Sequence, residues 1–159
     1  MLMAIRTWGI GYEAAVAKAK QIYSKIGRIP CPLFNGEFVV FNRHGFTHIL
    51  RRGKLIRPKA QRLIRLRLIE FAETIIKTPD GSVTVEFRDE YEIERVVNRF
   101  GKKILEKRKA RSWGFVRVVD DSKITIVVGQ IDGGQKEFLS IMAEDFELHD
   151  GDKTQSPTD

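Results

Sequence analysis

The sequence predicts an α+β domain, with N-terminal helices packed on a four- to five-stranded antiparallel sheet. Two observations carry this. Apolar residues recur at helical spacing through the first half of the chain, and beyond Gly81 the period drops to two, with Gly and Asp punctuating the strands. The 159 residues suit one folded unit. Residues 1–36 read as a helix and loop, 37–145 as the α+β domain, and 146–159 as a disordered acidic and polar tail.

Taken in order, YEAAVAKAKQIYSKI (12–26) is Ala-rich and is stopped by Gly27, so it predicts a helix. RIPCPLFNG predicts a Pro-punctuated loop, and EFVVF (37–41) a strand. Asn42 is placed to cap a short helix reaching about Arg52, with Gly53 just past its end. On that helix Phe46, Ile49 and Leu50 share one arc, while His44, His48, Arg51 and Arg52 lie opposite. Pro58 opens a longer helix to about residue 77, with an apolar stripe of Ala60, Ile64, Leu68, Phe71, Ala72 and Ile75, and TPDG ends it. Val83, Val85 and Phe87 then alternate with polar residues. WGFVRVVD and KITIVVGQI predict a meander turned by Asp-Ser, and Asp132-Gly133-Gly134 leads into KEFLSIM. IERVVNRFGKKILEK fits a helix by periodicity and a hairpin turning at NRFGK equally well.

The net charge of +7 and pI near 9.7 point to a polyanionic partner. No apolar run approaches the roughly 20 residues of a membrane span. The opening MLMAIRTWGIGYEAA has no secretory h-region, so a cytoplasmic location is expected. Cys31 is the only cysteine, which leaves no internal disulfide and no Cys cluster; set between two prolines, it reads as a buried turn residue. His44 and His48 have an i, i+4 spacing that some zinc sites use, but H-G-F-T-H lacks the intervening glutamate, and His149 is the only other imidazole. No metal or cofactor is expected. No G-x-S-x-G, G-x-G-x-x-G or Walker motif occurs.

Cleavage of RNA without a metal needs a base for the 2′-hydroxyl, an acid for the departing 5′-oxygen and fixed positive charge around the phosphorane. Between Glu37 and Glu70 no carboxylate interrupts Arg43, His44, His48, Arg51, Arg52, Lys54, Arg57, Lys59, Arg62, Arg65 and Arg67. Histidine and arginine on a water-facing helix are suited to that reaction. The same residues also suit a solvated basic face that grips phosphates through Arg43, Arg52, Lys54, Arg57, Lys59 and Arg62. Trp113 and Phe115 read as core residues rather than base-stacking platforms.

FNRHGFTHILRRGK and KITIVVGQIDGGQKEFLSIM resemble the first helix and closing hairpin of the ribonuclease superfamily that groups barnase, EndoU, colicin and RelE domains, the BECR fold. The likeness is to its phage- and mobile-element-associated branch and covers about residues 37–145. It implies a toxin-like hydrolase that cuts RNA by 2′-hydroxyl attack, leaving a 2′,3′-cyclic phosphate, and a possible acidic inhibitor protein as partner. By position, His48 would be the base or acid, His44 could share its role, Arg51 and Arg52 would contact phosphate, and Ser140 would contact substrate. The resemblance calls for an arginine on the penultimate strand, where Gly129-Gln130 stand, and Arg117 is the nearest substitute. It also favours the hairpin for residues 91–112. A domain lacking that arginine would bind RNA without cutting it, and a basic protein-interaction domain is the third alternative.

Overall fold

The computed structural model describes residues 5–78, 83–144, 146 and 148, without the side chains of 86–88. The fold is α+β, with one core formed between three helices and one face of a sheet. Helix α1 (Tyr12–Ile26) buries the row Ala15, Ala19 and Tyr23 at i, i+4 and i+8, and Gly27 at φ +61° ends it. Helix α2 is Arg43–Leu50 and α3 is Lys59–Lys77. The strands of the main sheet are β1 (Arg28–Pro30), β2 (Phe38–Val40), β5 (Thr84–Arg99), β6 (Lys102–Val119), β7 (Ser122–Ile131) and β8 (Lys136–Ala143). Arg51–Arg52 (β3) and Leu55–Ile56 (β4) form a separate small hairpin.

The sheet differs from expectation in size and direction. Among the described residues it has six strands in the order β1-β2-β8-β7-β6-β5, and β2 runs parallel to β8. The extra strand is β1, from the segment expected to be loop. Its Pro30 is tolerated because β1 is an edge strand, where a missing N–H breaks no ladder. Helix α1 and strand β1 contribute Ala19, Tyr23 and Ile29 to the same cluster as Leu66, Phe115 and Phe138.

Residues 91–112 form strands. Phe100 and Gly101 both have positive φ, 52° and 75°, and join Arg99 to Lys102 as a two-residue hairpin. Opposite charges face each other across it: Glu90 with Arg111, Glu92 with Lys109, Glu94 with Lys107 and Arg95 with Glu106. Such pairs favour the hairpin over a helix interrupted by Gly101. Because β7 ends opposite Ala110, the rest of β5–β6 projects past the sheet as a two-stranded arm.

Other boundaries shift for local reasons. Helix α2 stops at Leu50 rather than near Arg52, since Gly53 at φ +61° turns the β3–β4 hairpin instead of capping a helix. The β6–β7 turn is Asp120-Asp121, both at positive φ, and Ser122 is already in the strand. Helix α3 buries Leu63, Leu66 and Ile69 as well as Leu68, Ala72 and Ile75. Its apolar face is wider than one stripe because α3 lies between α1 and the sheet. Of TPDG, residues 79–81 lie outside the described residues, as do His149 and most of the acidic tail. Cys31 is buried in the turn between β1 and β2, where its N–H bonds the Glu37 carbonyl, and burial pushes its thiol up. Trp113 and Phe115 are buried against Phe34. Among the described residues no helix is long and apolar enough to cross a membrane.

Candidate functional site

Pairing of β2 with β8 ends at Val40 opposite Glu137, and α2 then takes the place of β2 beside β8. Its first turn is tied down three ways. The Asn42 side chain accepts from the Gly45 N–H at 3.2 Å, its Nδ2 donates to Glu137 at 3.0 Å, and the Tyr23 hydroxyl donates to the Asn42 carbonyl at 2.6 Å. Phe46 and Ile49 enter the core, with the Tyr23 ring edge-on to Phe46 at 5.3 Å. His44 and His48 therefore leave the other side of α2, one turn apart, their rings edge-on with centroids 4.9 Å apart. Asn42→Ala removes the cap and the bridge to β8 together; we expect a loss of about 1–2 kcal/mol, read by urea denaturation.

The two imidazoles form one wall of an open cleft of about 790 Å³. Trp113 and Phe115 point into the core, so Arg108 and Ala110 on the same strand point to the opposite face. The register sets Tyr91, Ile93 and Arg95 of β5 and Gly129 and Ile131 of β7 on that face too. The second wall is thus the base of the β5–β6 arm, and Gly129, Ile131 and Leu139 lie between the walls. Arg108 is engaged, bonding Asp132 at 2.7 Å and Glu106 at 2.5 Å. The Arg108 hydrogen bond and the Lys109 N–H hold the Asp132 carboxyl below the usual range. Arg95 makes no ion pair among the described residues, and it lines the cleft.

Behind His48 a second group of cations gathers. Arg57 Nε donates to the His48 carbonyl at 3.1 Å, and Arg65 Nη1 donates to Ser140 Oγ at 2.6 Å and to the Ile141 carbonyl at 3.0 Å. Burial first, then Arg57 and Arg52, push the Arg65 guanidinium down to about 10. Burial also lowers His48 below its ordinary 6.5, followed in effect by His44, Arg57 and Arg65. His48 is therefore a neutral imidazole near pH 7, able to accept a proton.

His44 and His48 line the cleft together, and Ser140 lies beside Arg65, one of the cations that depress His48. Arg52 and Arg57 line a separate cavity at the other end of β8. Arg43, Arg51 and Lys54 are exposed and line neither cavity. Arg62 is only 7% exposed; its Nε bonds the Arg57 carbonyl at 2.8 Å and its guanidinium covers the Tyr12 ring at 4.5 Å. Lys59 sits over the same ring, so this pair packs α3 on α1 and lies away from both cavities. Arg117 reaches Thr78 at 3.4 Å, at the far end of α3. That is thirteen residues beyond Arg65, roughly 20 Å along the helix axis. Sequence reasoning missed Arg95, Arg108, Asp132 and Glu137, and it named Arg65 only as a member of the basic run. Alternation along β5 and β6 sets Arg95 and Arg108 on one face, a signal readable only once the hairpin is chosen.

No protein-family model matches the chain, and no curated protein and no solved structure matches it either.

Proposed function

We propose that the protein is a metal-independent endoribonuclease, toxin-like in its size and basicity. The observation that carries this reading is the pair of imidazoles, 4.9 Å apart, on the wall of one open cleft with arginines on the facing wall and behind. His48, neutral at pH 7, takes the proton of the ribose 2′-hydroxyl. The 2′-oxygen bonds to phosphorus, the bond from phosphorus to O5′ breaks, and His44 supplies the proton to O5′. The products are a 2′,3′-cyclic phosphate and a 5′-hydroxyl. Arg95 stands on the facing wall to meet the phosphorane charge. An acidic protein that filled the cleft would serve as its inhibitor.

One observation favours a second reading, RNA binding without cutting: Arg108 is already neutralised by Asp132 and Glu106, and Arg117 lies elsewhere. Incubation of the purified protein with RNA in EDTA separates the two. We expect fragments ending in 2′,3′-cyclic phosphate, and no cutting of an oligonucleotide that is 2′-deoxy throughout. RNA that stays intact but is retained in a salt-dependent way would replace the nuclease by the binding module. Failure to bind any nucleic acid at low salt would leave a basic protein-docking domain.

A further inference from the structure

The second cavity, about 450 Å³, opens where the β3–β4 hairpin and the first turns of α3 meet the ends of β7 and β8. Arg52, Arg57, Arg65 and Lys123 line it, against the single carboxylate of Glu144 among the described lining residues. Neither Arg52, Arg57 nor Arg65 forms an ion pair among the described residues.

We propose that this cavity is a phosphate-binding site, in which Arg57 and Arg65 donate to the phosphate oxygens and Arg52 supplies charge from the rim. Two features beyond the charge support it. Each inner guanidinium is anchored by one nitrogen, Arg57 through Nε to the His48 carbonyl and Arg65 through Nη1 to Ser140 and Ile141. Their remaining N–H groups make no hydrogen bond among the described residues, which leaves donors fixed in direction and unspent. Burial first, and then the neighbouring cations, lower Arg57 and Arg65, and a dianion or a phosphodiester between them offsets both the lost solvation and the repulsion.

The anchors also tie the site to His48. Arg57 holds the His48 carbonyl, so an oxyanion bound by Arg57 and Arg65 would give a strand crossing the cleft a second phosphate contact. This placement rests on the ribonuclease reading; the phosphate site itself does not. The same chemistry fits a free phosphate or the backbone of RNA, and the test separates them.

Inorganic phosphate and an uncleavable 2′-O-methyl oligonucleotide are titrated separately into the wild type, Arg52→Ala, Arg57→Gln and, as a control for charge alone, Lys25→Ala. Arg52 is exposed, so Arg52→Ala keeps the test valid if Arg57→Gln melts early. For a site on RNA, both probes bind wild type. Each cavity variant then weakens the oligonucleotide about tenfold and makes its log K against log salt shallower by roughly 0.7, the value for one lost phosphate on a single strand. If only inorganic phosphate binds, and Arg57→Gln abolishes it, the cavity takes free phosphate and the RNA reading falls by itself. Variants that bind both probes as Lys25→Ala does would overturn the proposal.

Discussion

On the proposed ribonuclease reading we expect replacement of His48 with alanine to lower RNA cleavage by about 10²-fold or more, the usual contribution of a positioned base, while oligonucleotide affinity changes little. The measurement is single-turnover cleavage beside binding of the 2′-O-methyl analogue. The pH profile carries the second half of the expectation. A base must be neutral to act, so the acid limb of the profile rises with pH through the His48 pKa. Since burial first, then His44, Arg57 and Arg65, hold that pKa below its ordinary value, this limb is displaced to lower pH. Arg57→Gln removes one of those cations, lets His48 hold its proton to higher pH, and moves the acid limb upward. Equal cleavage by His48→Ala and wild type would remove this imidazole from the mechanism. A pH profile unmoved in Arg57→Gln would remove the electrostatic account alone.

The parts of the fold legible in the sequence are those set by local chemistry. Asn42 as a cap, Gly27 as a stop and the alternation from β6 to β8 all act within a few residues of where they are read. What stayed hidden depends on distant partners. The strand β1 exists because β2 offers it a ladder, and the parallel pairing of β2 with β8 joins segments almost a hundred residues apart. The site divides in the same way. The histidine pair follows from the helical period, as does its separation from Phe46 and Ile49. Arg62 and Arg65 look alike in a basic run, yet one covers the ring of Tyr12 and the other is anchored through one nitrogen to Ser140. Only the packing of α3 between α1 and β8 tells them apart.

Gly45, between the two histidines, shows how narrow the fit of α2 is. In an exposed helix Gly→Ala gains about 1 kcal/mol. Here a Cβ would lie 2.3 Å from the Phe138 carbonyl oxygen and 2.6 Å from the Tyr23 hydroxyl. The carbonyl belongs to β8, and the hydroxyl is already held by its bond to the Asn42 carbonyl. Neither can yield as a flexible side-chain end would, so α2 itself must lift. Phe138, stacked on Phe41 at 4.8 Å and fully buried, makes that displacement costly. We expect Gly45→Ala to destabilise the protein by about 2–3 kcal/mol and Gly45→Val by more, read as a lower urea midpoint at unchanged m value. The same lift moves His44 and His48 off their wall. A 1 Å misplacement can cost about 10²-fold in rate, so the folded fraction of Gly45→Ala should cleave far more slowly than wild type. Normal stability in Gly45→Ala would mean that α2 and β8 are not in contact. A destabilised Gly45→Ala with wild-type turnover per folded molecule would show that the imidazoles need no such support to act.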